Sequence, residues 1–345
     1  MDSSLSTIVR RRLDRTAYHA QQWSIRFPIA NLRRLIAAVA PGEDAPSPEA
    51  ASVLRRRYEA LLEADLANVE QGLYPRALLF QIPFRHYAWT LPRLLGDLPA
   101  VFQRIAARDA HDLPEEARPE RYPTYFRRNF HWQTDGYLSR RSAELYDVSV
   151  ELLFAGTADV MRRQVIPPIT RFLQTAGDDE PRLLDVGCGT GRTLAQLAAA
   201  HSGLRLTGLD LSPYYLQEAR RVLADVADVS LVAENAEHLP FRDRYFSIVT
   251  SVFLFHELPR AVRRRVLAEA YRVLRPGGLL VVEDSAQLVE SGPLAFFLGR
   301  FAADFHEPFY RDYVRDDLAA AIGEVGFQVV STEPCFVSKI VVARK

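Results

Sequence analysis

The stretch LLDVGCGTGRTL, residues 183–194, sets Asp185 ahead of three glycines, Gly187, Gly189 and Gly191. A glycine-rich turn that follows an apolar run and opens a helical run lets backbone approach a ligand closely. A dinucleotide calls for G-x-G-x-x-G, whose third glycine lets helix and strand pack beneath a pyrophosphate. Here the spacing is G-x-G-x-G and position 192 is Arg. A P-loop requires Gly-Lys-Ser/Thr, which does not follow. Asp210 closes the next apolar run, LRLTGLD, 19 residues beyond Gly191. An acid at that place accepts both hydroxyls of a ribose. Asp185 beside the loop suits a cationic ligand better than a pyrophosphate. The chemistry indicated is the binding of a positively charged nucleoside without phosphate.

The elements that must position these residues change character along the chain. Residues 1–145 read as helices and loops, with no alternating strands. SPEAASVLRRRYEALLEADLANVEQGL (47–73) starts at Ser47-Pro48 and repeats its apolar residues at helical spacing up to Gly72. Pro83 and Pro92 are expected to bound or kink the helices that follow. HDLPEEARPERYPTYF (111–126) is a proline-rich connector. From about residue 180, short runs rich in Leu and Val alternate with helical runs, which predicts βαβ units and a parallel sheet. The last two runs, FQVVSTE and FVSKIVVARK, lie too close for a parallel crossover, so they are expected to form an antiparallel hairpin.

The ordered motifs resemble those of the class I S-adenosylmethionine (SAM)-dependent methyltransferases over about residues 180–345. LLDVGCGTGRTL is similar to the family's first motif, LTGLDLSPYYL to its acidic strand end, AENAEHLPF to its adenine-edge motif and RVLRPGGLLVVEDS to the turn into its fifth strand. Ser247 stands where many members carry Asp, and Asn235 at a position that is often Asp. The resemblance implies a Rossmann-like, doubly wound, seven-stranded α/β sheet with an antiparallel C-terminal hairpin, spanning 146–345 and preceded by a mostly α-helical domain over 1–145. It implies SAM as cofactor. The Gly187–Gly191 backbone, Cys188 included, would line the methionine half, and Asp185 would help fix its ammonium. Asp210 would hold the ribose, Leu211 the adenine face, Asn235 and Ala236 the adenine edge, and Ser251 the end of the fourth strand.

Methyl transfer needs alignment and exclusion of water, and a hydroxyl or acidic-carbon acceptor also benefits from a general base. The candidates lie beyond the carboxyl ends of the strands. SVFLFHELPR offers His256 as base, with Glu257 beside it and Phe253 as a shield. FHEPFYRDY (305–313) offers His306 and Tyr310. RRNFHWQTDGYL packs His131, Trp132, Asp135 and Tyr137 into a lid-like segment, where Asp135 would orient His131. No His-x-x-His or Cys cluster supports a metal, so none is expected.

Composition bounds the rest. The 345 residues carry no formal net charge, which argues against nucleic acid as partner. The sequence has 41 Arg and 2 Lys, the mark of a GC-rich gene, and a bacterial source is expected. Two cysteines are too few for a disulfide framework, and neither a signal nor a membrane span is evident, so a cytoplasmic protein is expected. Residues 8–38 hold seven Arg among Trp23, Phe27 and aliphatic residues, the pattern of a helix capable of peripheral membrane contact. The helical extension is expected to cover the site, to mediate a homodimer, or both. The expected activity is methylation of a small or medium, fairly apolar molecule, at oxygen first and carbon next. The rival classes are a non-catalytic SAM-binding scaffold and a nicotinamide oxidoreductase.

Overall fold

The computed structural model describes residues 2–39, 47–82 and 84–345. The chain begins with α1 (Asp2–Val39), α2 (Pro48–Glu70), α3 (Phe84–Ala107), α4 (Arg140–Leu153), α5 (Ala158–Arg162) and α6 (Ile166–Ala176). It then alternates: β1 (Arg182–Val186), α7 (Arg192–Ala200), β2 (Arg205–Asp210), α8 (Pro213–Val222), β3 (Val229–Ala233), β4 (Phe246–Val252), α9 (Arg260–Val273) and β5 (Leu274–Ser285). After β5 come α10 (Leu288–Ser291), α11 (Ala295–Asp304), α12 (Tyr310–Tyr313), α13 (Leu318–Glu324), β6 (Gln328–Cys335) and β7 (Ser338–Arg344).

The strands form one sheet in the order β3-β2-β1-β4-β5-β7-β6. β1 to β5 pair in parallel, while β7 runs antiparallel to β5 and pairs antiparallel with β6. The strand order reverses between β1 and β4, and open α/β sheets bind ligands beyond the strand ends at such a switch point. The expected fold class and the C-terminal hairpin are both present. Local signals set several helix starts. The Ser47 side chain accepts the Ala50 N–H at 3.2 Å ahead of Pro48, and the Ser212 hydroxyl accepts the Tyr215 N–H at 3.3 Å ahead of Pro213. Pro92 does not end a helix; it lies inside α3 with Pro99. Pro83 lies outside the described residues. Ser247 keeps a local contact, since its hydroxyl donates to Asp178, and Asp178 also receives Arg275 at 2.8 Å.

Among the described residues, the helical half packs its apolar side chains into the same core as the sheet. One buried cluster joins Tyr18, Tyr58, Leu61, Leu62 and Leu66 to Ile166 and Ile169 and on to Leu183, Leu206 and Ile248 of the sheet. At its polar centre, Asp65 accepts from Arg163 at 2.6 and 3.1 Å, from Gln164 at 3.2 Å, and from the hydroxyls of Tyr18 and Tyr74. On α1, Arg15 and Arg11 pair with Glu63 and Glu70, while Trp23 and Phe27 stack on each other at 5.0 Å and remain exposed. The side chains of Arg10, Arg33 and Arg34 lie outside the described residues. Among the described residues, no helix is long and apolar enough to cross a membrane.

Candidate functional site

The ends of β1, β2 and β4 open into a cavity of about 800 Å³, counting its mouth. Gly187, Gly189, Leu209, Asp210, Leu211, Asn235, Ala236, Phe253 and Glu257 are among its walls. Gly187, Gly189 and Gly191 have φ of 73°, 52° and 78°, a left-handed conformation that glycine adopts without steric cost. The loop closes on β2, where the N–H groups of Gly187 and Cys188 donate to Leu209 O at 2.8 and 3.0 Å. A Cβ on Gly189 would meet nothing within 4 Å, so the glycine keeps room free where the loop faces the cavity. Arg192, the residue that breaks the dinucleotide fingerprint, pairs with Asp159 and so ties α7 to α5.

Asp210 lines the cavity. Its carboxylate accepts the Gly189 N–H and the Ser212 N–H, each at 2.8 Å, which leaves lone pairs for further donors. Burial pushes its carboxyl up to about 6, against the pull of those two hydrogen bonds. Asn235 turns its oxygen to the Glu237 N–H at 2.9 Å, and Tyr125 donates to Glu237 at 2.8 Å. Three of the residues expected to touch the cofactor sit behind the wall instead. Cys188 is buried, and its sulfur would lie 2.8 Å from a Cβ on Gly208. Ser251 donates to Val186 O at 2.9 Å. Asp185 is 1 % exposed and accepts the Thr250 hydroxyl at 2.9 Å.

Burial pushes the Asp185 carboxyl up to about 7, with the Thr250 hydrogen bond opposing. Below about pH 4 it is protonated whether the chain is folded or not. Between about pH 4 and about 7 it stays protonated only when folded, so stability falls as pH rises and the loss is complete above the folded value. Asp185→Asn is therefore expected to raise the unfolding midpoint of the cofactor-free protein at pH 8 and to change it little at pH 4. Equal shifts at both pH values in a thermal melt would refute the assignment.

The opposite wall is aromatic. Tyr125, Phe126, Phe130, Tyr137, Tyr146 and Tyr215 line it, the first five from the segment that precedes the sheet. That segment is clamped down: the Ser212 hydroxyl donates to Tyr137 O at 2.6 Å, and the Gln133 amide donates to the Tyr215 hydroxyl at 3.2 Å. Phe253 holds φ 58°, uncommon for an aromatic residue, and stacks on Phe154 at 5.3 Å. Trp132, Asp135 and Tyr310 are not on the wall. Trp132 packs on His306 at 4.8 Å, Asp135 turns the chain with φ 66°, and the Tyr310 hydroxyl meets that of Ser285 at 2.6 Å.

The candidate bases gather around Glu257, which is on the wall and accepts the Tyr137 hydroxyl. Nε2 of His131 lies 3.7 Å from Glu257 and Nε2 of His256 lies 4.0 Å from it. Both imidazoles stand behind Glu257 rather than on the cavity wall. His256 gives Nδ1 to Asp284 at 2.6 Å; burial pulls its pKa down, but the Asp284 carboxylate outweighs this and lifts it to about 9. His131 does not meet Asp135. Its Nδ1 faces Glu307 at 3.1 Å, and its pKa is raised, burial being outweighed by the Glu307 and Glu257 carboxylates. His306 lies apart from the cluster against Trp132, with its pKa lowered by burial.

Glu307 and Asp284 were not foreseen. An acidic pair, Glu283-Asp284, ending an otherwise apolar strand was the available signal for Asp284. For Glu307 there was only its place next to His306.

A family model described as a methyltransferase domain matches residues 183–278. A demethylmenaquinone methyltransferase of Thermotoga maritima is 31% identical over 216 residues, 57% of this chain and 89% of that protein. A malonyl-(acyl-carrier protein) O-methyltransferase of Geobacter sulfurreducens is 30% identical over 177 residues, 49% of this chain and 64% of that protein, so the chain spans less than two thirds of it. Among solved structures, a CurJ carbon methyltransferase aligns with a TM-score of 0.43 at 18% identity, over 59% of this chain and 63% of that one. With the glycine loop, the acid closing β2 and the antiparallel β7 all in place, the chain belongs to the class I SAM-dependent methyltransferases and uses S-adenosyl-L-methionine as its cofactor.

Proposed function

We propose that this enzyme methylates a hydroxyl oxygen of a small or medium, largely apolar acceptor. The observation that carries this reading is Glu257, a carboxylate set among Phe253, Leu254 and Leu258 on the cavity wall, with Tyr137 donating to it and two histidines behind it. The residues of the cavity fit SAM. Gly187 and Gly189 leave backbone open to its methionine end, Asp210 has lone pairs for the ribose hydroxyls, and Asn235 and Ala236 border the adenine. When bound, SAM supplies a sulfonium methyl group whose C–S bond breaks as the acceptor oxygen attacks, leaving a neutral thioether.

Glu257 takes the proton of the acceptor hydroxyl, and Tyr137 holds the carboxylate in place. His256, fixed by Asp284, acts as a positioning residue behind Glu257. Tyr137, Tyr146, Phe126 and Phe253 exclude water and offer aromatic faces to the sulfonium. Asp185, behind the loop, accepts the Thr250 hydroxyl and supports the end of β1 rather than touching the cofactor.

Two measurements test this reading. Calorimetry is expected to show SAM binding that weakens by more than about tenfold, or roughly 1.4 kcal/mol, in Asp210→Ala. Methyl-labelled SAM, incubated with the protein and an apolar metabolite extract, is expected to leave label in a methyl ether. Unchanged affinity in Asp210→Ala would sink the ribose assignment, and label on carbon or nitrogen would sink the choice of oxygen.

A further inference from the structure

The cluster behind the cavity contains more acceptor atoms than its donors satisfy. Glu307 is 1 % exposed, and neither of its carboxylate oxygens receives a hydrogen bond. Nδ1 of His131, 3.1 Å from Glu307 Oε1, is buried and makes no hydrogen bond either. A carboxylate with no compensating donor is costly to bury, and natural proteins neutralise such groups with a cation or a proton. One ligand atom from each of His131, Glu257 and Glu307 can be chosen so that all lie within 4.8 Å of one another.

We propose that His131, Glu257 and Glu307 form a binding site for a divalent transition-metal ion, of which Zn²⁺ is the best match. Ligands sharing one ion at bonds of about 2.1 Å stand about 3–3.5 Å apart. The His131 Nδ1–Glu307 approach at 3.1 Å already has that spacing, while Glu257 approaches the same ring from Nε2 at 3.7 Å and has to shift to share the ion. One imidazole with two carboxylates suits Zn²⁺ or Mn²⁺, whereas Mg²⁺ and Ca²⁺ prefer oxygen alone. Cys188 and Cys335 are both buried and neither belongs to this cluster, so no thiolate is offered. Three protein ligands leave a further coordination position open, as in catalytic rather than structural zinc sites. Glu257 is the ligand on the cavity wall, which puts the ion next to the acceptor side.

The chain supports the ligands from outside. Asp284 anchors His256 at Nδ1, and the other nitrogen of His256 lies 4.0 Å from Glu257, so this charged pair backs the Glu257 ligand. His131, Trp132 and His306 all hold positive φ, 54°, 58° and 48°. Left-handed backbone at His131 and at the neighbouring Trp132, and at His306 next to Glu307 in the chain, is strain of the sort that persists where a site requires it. The site stands on these residues alone. Only the further step, that the ion holds the acceptor oxygen and eases its deprotonation, rests on the proposed function.

The test uses the full-length protein, stripped with chelator and titrated with Co²⁺. One equivalent is expected to develop visible d–d absorption, which Zn²⁺ abolishes by displacement and Mg²⁺ leaves intact. Glu307→Gln is expected to weaken Co²⁺ binding by at least about tenfold, with SAM affinity retained as evidence of folding. His131→Asn provides the same reading from a second ligand. Absence of a cobalt spectrum in the wild type would overturn the site, as would binding of wild-type strength in both variants. Methyl transfer plays no part in the readout, so failure here is distinct from failure of the proposed function.

Discussion

Asp65→Ala is expected to cost about 3–5 kcal/mol of stability, the range found when one partner of a buried ion pair is removed. Asp65 is fully buried on α2, and its five donors come from α1, the turn after α2, and the α5–α6 junction. Removing the carboxylate strands the Arg163 guanidinium in the core and leaves the Tyr18 and Tyr74 hydroxyls without their acceptor. With the carboxylate present, the phenols stay un-ionised, since burial and the Asp65 charge both push their pKa up. The same network joins the helical half to the sheet half, so local weakening is expected to loosen both. Denaturant unfolding should show the loss, and a change below about 1 kcal/mol would mean that the network stabilises little. Asp65→Leu combined with Arg163→Met should recover most of it, because replacing both charges with apolar groups removes the unpaired ion.

Asp65 also illustrates what a linear reading misses. In LLEADLANVE it occupies a helix whose apolar positions repeat normally, and nothing nearby announces burial. Its partner, Arg163, lies 98 residues away. By contrast, the glycine loop and Asp210 were legible because their constraints are local: positive φ, a helix start, and an acid ending a strand. The βαβ alternation fixed the parallel strands, and the short gap before β7 fixed the antiparallel pair.

The acceptor side was legible only in its ingredients. His131, Glu257 and Glu307 meet from segments 126 and 50 residues apart, so spacing could not pair them. The expected partner of His131 was Asp135, four residues on. The left-handed φ of His131, Trp132 and Asp135 makes this segment a chain of turns instead, and the imidazole faces the Glu307 segment. The same turns set Tyr137 against Glu257. The lid therefore contributes to the acidic cluster as well as shielding the cavity.

Glu257→Gln is expected to lower kcat by about 10²–10⁴-fold, the contribution typical of a positioned general base. Glutamine keeps the side-chain volume and still accepts the Tyr137 hydroxyl, so the cavity wall should stand and SAM affinity should not change. The charge is what is lost, whether the carboxylate takes the acceptor's proton directly or acts through an ion it holds. His256→Asn should reduce kcat less, because His256 is buried behind the wall, 4.0 Å from Glu257, and is proposed only to position it. Its pH profile should nevertheless move, since replacing the imidazole removes the one group here that Asp284 lifts to about 9. Release of S-adenosylhomocysteine in the presence of the acceptor fraction measures both variants, and calorimetry with SAM controls for cofactor binding. Turnover of Glu257→Gln equal to the wild type would remove Glu257 from the chemistry and leave alignment by the aromatic wall as the main source of rate.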